Sequence, residues 1–131
     1  MKKDNKGFSL VELIIVIAIM AVLIGILAPT YMRFVQRSKV STDITNAQEM
    51  ATAINTAITD GVTISGINNG TATAAGATVG GLPGFTTMPA SKVNAAYSWV
   101  VTWDATDGVT SITLGGDQIY PDPADYHTKN D

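Results

Sequence analysis

The chain has 131 residues, a formal net charge of −3, a charged fraction of 15% and no cysteine. The absence of cysteine excludes a disulfide framework and thiolate chemistry, and the acidic balance gives no general support for nucleic-acid binding. The sequence contains no phosphate-binding loop and no nucleophile-elbow pattern. We therefore expect neither an enzyme nor a bound cofactor.

An apolar segment of membrane length begins near the N-terminus. It runs for 21 residues from Phe8 to Ala28 with a single charge, Glu12, and Pro29 follows it. As a helix it would cover about 30 Å, the thickness of a bilayer's hydrocarbon core. It is longer than the roughly 7–15 apolar residues of a secretory signal, and it lacks a small-residue cleavage site at its far end. We predict that residues 8–29 form a membrane-spanning helix that stays in the mature protein.

A lysine-rich leader, residues 1–7, precedes this segment and ends at Gly7, Phe8 follows, and Glu12 is the fifth residue after the glycine. These residues resemble the N-terminus of a type IV prepilin. The resemblance covers residues 2–34. It implies that a prepilin peptidase cuts between Gly7 and Phe8 and then methylates Phe8. It also implies the remaining partners: the membrane before assembly, an assembly platform with its ATPase, and further copies of the chain in a helical homopolymer.

Glu12 needs a partner because an ionised side chain at membrane depth costs about 2.5–3.5 kcal/mol. Cleavage after Gly7 would create an α-amine on Phe8, about one helical turn from Glu12. The amine of one subunit and Glu12 of its neighbour would attract strongly in a low dielectric. We therefore predict Phe8 and Glu12 as the filament-assembly residues. Pro29 removes the backbone donor to the carbonyl of Gly25, which predicts a helix kink at these two residues.

The pattern of the next 31 residues, 30–60, predicts an amphipathic continuation of the helix. Apolar residues recur with helical periodicity at Ile44, Ala47, Ala51, Ile54 and Ile58. Polar residues predicted to lie on the other faces are Asp43, Asn46, Glu49 and Asn55. We predict one helix to about Asp60, ended by Gly61. The alternative is a break near Ser41.

Residues 61–131 are predicted to form a C-terminal head with an antiparallel sheet. Residues 61–95 read as a variable loop, with short strands at 61–65 or 77–79 left open. Alternating residues from 97 to 103 predict a strand whose aromatic face lies on the helix. A tight turn follows, then a returning strand Val109–Leu114 with Thr110, Ile112 and Leu114 on one face, and a third strand at residues 118–120. The expected fold class is α+β: a long N-terminal helix packed on a meander of about residues 96–120, followed by a polar tail.

The acidic residues of the head give only weak support for a metal site. They are Asp104, Asp107, Asp117, Asp122 and Asp125. Calcium needs about six to eight converging oxygen ligands, and no calcium-loop spacing is present. We interpret these residues as ordinary turn aspartates. His127 is the only histidine and has no obvious partner in the sequence, so neither a catalytic nor a metal-binding role is expected for it.

The resemblance implies a structural subunit of a type IV pilus. It would reside as a single-pass protein in the inner or cytoplasmic membrane and then in an extracellular filament that supports adhesion, twitching motility, biofilm formation or DNA uptake. Nucleic acid would be a partner only indirectly, through DNA uptake. The alternatives are a pseudopilin of a type II secretion or competence system and a single-span, membrane-anchored binding module.

Overall fold

The computed structural model describes residues 7–131, and the predicted leader residues 1–6 lie outside the described part of the chain. The described elements are α1 (Leu10–Thr59), β1 (Ala72–Thr73), β2 (Trp99–Asp104), β3 (Gly108–Leu114), β4 (Asp117–Tyr120) and α2 (Ala124–Asn130). The chain divides into two compact units, one ending at Val35 and the other spanning Gln36–Asp131. We refer to the second unit as the head; it contains the predicted C-terminal head, residues 61–131, together with the last part of α1.

Helix α1 is continuous from Leu10 to Thr59, so no break occurs near Ser41. It ends in a Schellman motif. Gly61 has a φ of 68°, which glycine adopts without steric cost. The Gly61 N–H donates to the Ile58 carbonyl at 3.2 Å and the Val62 N–H donates to the Ala57 carbonyl at 2.9 Å. These bonds satisfy carbonyl groups that a helix end leaves free. The predicted helix end is confirmed to within one residue.

The core of the head lies between one face of α1 and one face of the sheet. On α1 the buried residues include Val40, Ala47, Met50, Ala51, Ile54 and Ala57. On the sheet they include Trp99, Val101, Ile112, Leu114 and Ile119. These residues form one apolar cluster, so the aromatic strand packs on the helix as predicted. The α+β fold class is therefore confirmed.

The four strands form one antiparallel sheet in the order β1–β2–β3–β4. Strands β2, β3 and β4 correspond to the predicted meander. Strand β1 was not predicted, because its two residues lie in a low-complexity run with no alternating pattern. The strands left open at 61–65 and 77–79 appear only as isolated bridges, Ser65 with Gly80 and Thr78 with Thr87.

One predicted face of β3 is wrong, because the strand contains a β-bulge. Val101 pairs with Ile112, but Trp103 pairs with Val109, so β3 has an extra residue at this point. Thr110 is exposed and Val109 is buried, the reverse of the prediction. An extra residue shifts a strand's alternation by one position, which moves the preceding side chains to the opposite face. The Thr110 hydroxyl donates to the Thr102 carbonyl at 3.1 Å.

Asp43 was predicted to lie on a polar face of α1, and this prediction is wrong. Its side chain is completely buried. Oδ2 accepts hydrogen bonds from the hydroxyls of Ser91 and Tyr126, both at 2.6 Å, and Oδ1 accepts one from the Lys92 N–H at 2.7 Å. We call these four residues the Asp43 cluster. Burial of the carboxylate is tolerated because both of its oxygens accept hydrogen bonds.

The tail predicted to be merely polar contains α2 and a buried aromatic residue. Tyr126 is completely buried, and its hydroxyl joins the Asp43 cluster. The Gln36 side-chain amide donates to the Asn130 carbonyl at 2.6 Å. Asn55, also predicted on a polar face, is half-buried and accepts a hydrogen bond from the Val109 N–H at 2.8 Å. Side-chain hydrogen bonds therefore connect α1 to three separate parts of the head.

The stability of the head is expected to fall above about pH 10 because of Tyr126. Burial, and then the hydrogen bond to Asp43, raise the pKa of Tyr126. In the unfolded chain a tyrosine ionises near pH 10, while the folded head keeps the proton. Unfolding then releases a proton, so stability decreases as pH rises through this range. Thermal denaturation between pH 8 and 11.5 should show this slope, and Tyr126→Phe should show a shallower slope from a lower starting value. An equal slope in both proteins would exclude Tyr126 as the cause.

A candidate functional site at the start of helix α1

The first turn of α1 is closed by a capping box between Ser9 and Glu12. Ser9 is the last residue before the helix. The Glu12 N–H donates to Ser9 Oγ at 3.2 Å, and the Ser9 N–H donates to Glu12 Oε2 at 3.1 Å. This reciprocal pair satisfies two backbone donors that a helix start leaves free. Sequence reasoning assigned Glu12 to assembly and missed this role, although the Ser-x-x-Glu spacing was its signal.

The capping box gives Glu12 a hydrogen-bond partner inside its own chain and leaves further acceptor positions on the carboxylate. The bond from Ser9 uses Oε2, whereas a carboxylate has two oxygens and about four lone-pair positions. The side chain is exposed, and the N-terminal end of a helix favours a negative charge. Glu12 can therefore keep its capping bond and accept a further donor from outside the chain.

The predicted cleavage and methylation residues lie directly before this turn. Gly7, Phe8 and Ser9 are outside the helix and exposed, and the Phe8 side chain is 81% exposed. A Cβ atom added at Gly7 would meet no other atom within 4 Å. The Gly7–Phe8 peptide bond therefore lies in exposed, non-helical chain, close in sequence to the Glu12 carboxylate.

The apolar part of α1 that follows has no protein partner among the described residues. Its large apolar side chains from Leu10 to Leu27 are 51–74% exposed. This stretch is long and apolar enough to cross a membrane, and none of it is buried. An apolar surface of this size exceeds what a soluble monomer normally exposes. The segment therefore needs lipid or other apolar helices around it.

The two predicted kink residues lie inside α1, which is helical through both. Pro29 lacks a backbone N–H, so the Gly25 carbonyl does not receive the usual helical bond from four residues ahead. A Cβ atom added at Gly25 would also meet nothing within 4 Å. The glycine and the missing backbone hydrogen bond lie four residues apart, and both weaken the helix at this place. A kink here stays a prediction.

Three of the five aspartates considered for a metal site make a hydrogen bond or an ion pair within the head. Asp104 Oδ1 accepts the Thr106 N–H at 2.7 Å, and hydrogen bonds from backbone amides lower the pKa of Asp104. The Ala124 N–H at the start of α2 donates to Asp122 Oδ1 at 3.0 Å, and Asp117 pairs with Lys129. Within residues 7–131, no three histidine, cysteine or acidic side chains come together as metal ligands. His127, predicted to have no obvious partner, has Nδ1 3.1 Å from Asp131 Oδ2.

Comparison with known proteins supports the N-terminal resemblance. A family model described as the prokaryotic N-terminal methylation motif matches residues 2–28. The type IV major fimbrial protein FimA of Dichelobacter nodosus is 44% identical over 61 residues, which cover 47% of this chain and 39% of FimA. A fimbrial protein of Pseudomonas aeruginosa is 37% identical over 59 residues, covering 45% of this chain and 38% of that protein. The type IV major pilin protein PilA of Myxococcus xanthus is 45% identical over 49 residues, covering 37% and 22%.

The matched part of the chain spans about two fifths of the length of FimA. No solved structure matches the chain. The motif match at residues 2–28 contains the capping box and most of the exposed apolar helix. Residues 2–28 therefore match the N-terminal methylation motif, and over less than half of its length the chain is similar to proteins named as type IV fimbrial and pilin proteins.

Proposed function

We propose that this chain is a structural subunit of a type IV pilus filament and polymerises through α1. One observation carries the proposal: the methylation motif matches residues 2–28, where α1 exposes every large apolar side chain and has a single charge. The curated relatives named as fimbrial or pilin proteins support the same role. The role is structural, and the work of assembly comes from a separate ATPase and platform.

The proposed life cycle has a membrane stage and a filament stage. A prepilin peptidase removes residues 1–7 by cutting between Gly7 and Phe8, and Phe8 is then N-methylated. The subunit is held as a single-pass protein in the cytoplasmic membrane through the apolar part of α1. It leaves the membrane when α1 joins other copies in an extracellular filament. The filament serves adhesion, twitching motility, biofilm formation or DNA uptake.

In the filament, Glu12 accepts the Phe8 α-amine of a neighbouring copy. A unit-charge pair at 4 Å gains about 4 kcal/mol at an effective dielectric constant of 20. A lone carboxylate at membrane depth costs about 2.5–3.5 kcal/mol. The two magnitudes are similar, so the ion pair offsets the free-energy cost of burying the Glu12 charge. A subunit that docks out of register does not form this ion pair, and its Glu12 charge stays uncompensated. Gly25 and Pro29 are proposed as the point where α1 bends during this packing.

Two substitutions separate the assembly role of Glu12 from its capping role. Glu12→Gln keeps a side chain that suits the capping box but removes the charge. Ser9→Ala removes the hydroxyl of the capping box but keeps the charge. We expect Glu12→Gln to reduce filaments at least tenfold and Ser9→Ala to leave them within about twofold, because a lost N-cap costs only about 1 kcal/mol. Sheared surface material should be quantified by immunoblot and electron microscopy.

Mass spectrometry of the same material tests the processing step. The mature chain should begin with methylated Phe8 in the unaltered protein and in both variants. Filaments of normal yield from Glu12→Gln would exclude the charge as the assembly determinant. An unprocessed full-length monomer that stays in the membrane fraction would contradict the proposed function and favour an anchored binding module.

A further inference from the structure

A groove opens on the surface of the head between α1 and the segment 83–85. Its volume is about 420 Å³, within the range of about 300–1,000 Å³ that is typical of small-ligand sites. The residues that line it include Glu49, Thr52, Ala53, Thr56, Pro83 and Phe85. Neither the capping box nor the apolar part of α1 contributes to it.

The walls of the groove are mainly apolar, although Gln48, Glu49 and two threonines also line it. The Thr52 hydroxyl donates to the Gln48 carbonyl at 2.9 Å, and the Thr56 hydroxyl donates to the Thr52 carbonyl at 2.8 Å. Both hydroxyl protons are therefore used within α1, and the methyl groups remain available for contact. Ala53, Pro83 and the half-buried ring of Phe85 complete the apolar surface.

Glu49 is the single charged residue that lines the groove. An apolar site with one exposed carboxylate at its wall suits an aromatic side chain that has a cation beside it. The occupant that fits should therefore present a ring and a basic group on the same face.

The chain itself contains such a ligand, immediately after the apolar part of α1. Phe34 is 70% exposed, and both Arg33 and Arg37 are exposed. Arg37 follows Phe34 by three residues on the helix, so the ring and the guanidinium share a face. Helix α1 contains both this ring and one wall of the groove, so the occupant must come from another copy.

We propose that the groove receives the Phe34 ring of a second copy, with Arg37 of that copy beside Glu49. The inference rests on the proposed function, because it names a contact between subunits of the filament. Ring and groove are different patches of one chain, and such a heterologous contact builds an open chain of subunits rather than a closed dimer. An aromatic side chain buries about 150–250 Å², whereas an exposed ion pair contributes little to affinity. Phe34 therefore supplies the affinity, and the Arg37–Glu49 pair sets the register.

Crosslinking in filaments tests the contact directly, because the described chain has no cysteine. A double variant, Arg37→Cys with Glu49→Cys, should be treated with a short bis-maleimide in sheared filaments. We expect a ladder of dimers, trimers and higher species, since each subunit provides one ring and one groove. The matched control keeps Arg37→Cys and moves the second cysteine to exposed Ala105 (Ala105→Cys), which does not line the groove, and should give monomers. Intact filaments in which the double variant stays monomeric would overturn the proposal.

A charge reversal provides a second readout that does not depend on the crosslinker. Arg37→Glu should reduce filament yield severalfold, and adding Glu49→Arg should restore it, while the mature Phe8 terminus is unchanged throughout. If the double variant stays as low as the single one, the pairing is refuted. If the unaltered chain forms no filaments, the proposed function fails separately. Crosslinking of the detergent-solubilised chain then decides the contact: a ladder supports it, and monomers overturn it.

Discussion

Replacement of Trp99 by alanine is expected to lower the free energy of unfolding of the head by about 3–5 kcal/mol, the usual cost of removing a buried tryptophan. Trp99 is completely buried between the sheet and α1. Its indole Nε1 donates to the Pro89 carbonyl at 2.8 Å, so the substitution also leaves that carbonyl without its donor. Small domains have a total stability of only about 5–15 kcal/mol. The variant should therefore be close to unfolding at 37 °C.

Hydrogen exchange of the β2 and β3 amides in the detergent-solubilised full-length chain measures this loss. The matched control is Trp103→Ala, which removes the same side chain from the same strand at a half-buried position. We expect the control to cost clearly less than Trp99→Ala. Equal protection of the sheet amides in the Trp99 variant and the unaltered chain would show that the ring is not part of the core.

Replacement of Asp43 by alanine should cost about 2–5 kcal/mol, because it leaves buried donors without an acceptor. The hydroxyls of Ser91 and Tyr126 both donate to Oδ2, and both residues are buried. A buried donor that loses its partner costs about 1–3 kcal/mol. The Lys92 N–H also loses its acceptor, Oδ1. The expected result is a loosened head in which α2 and the segment around Ser91 lose protection first.

Two further variants make the Asp43 result specific. Asp43→Asn conserves the shape but offers one acceptor oxygen where the cluster uses two, so it should also be destabilised. Asp60→Ala removes an exposed carboxylate near the end of the same helix, and it should change stability by no more than about 0.5 kcal/mol. Hydrogen exchange of α2 amides distinguishes these outcomes. Full protection of α2 in Asp43→Ala would mean that packing alone holds it.

The sequence predicted those parts of the fold that depend on the spacing of residues close together in the chain. Helical spacing from Ile44 to Ile58 and a glycine at position 61 predicted the second half of α1 and its end. Alternation from Tyr97 to Trp103 predicted β2 and its buried face, although the strand begins two residues later, at Trp99. Glu12 was identified because a charge in an apolar segment is conspicuous.

Features that depend on distant partners could not be predicted in this way. The bulge at Thr110 follows from how β3 pairs with β2, which alternation within β3 does not reveal. Asp43 looked like a surface residue because its hydroxyl partners lie 48 and 83 residues further along the chain. The capping box at Ser9 is local, and the Ser-x-x-Glu spacing alone would have predicted it.

The span between Asp43 and Tyr126 has a consequence for the order in which the subunit matures. The two residues are 83 positions apart, and ribosomes add about 5–20 residues per second. A nascent chain therefore holds Asp43 for roughly 4–17 s before Tyr126 has been synthesised. Ser91 and Lys92, the other two donors to Asp43 in this cluster, are synthesised earlier, so the cluster is complete only once Tyr126 has been added. The side of the head that contains this cluster therefore cannot reach its final packing before α2 has been synthesised.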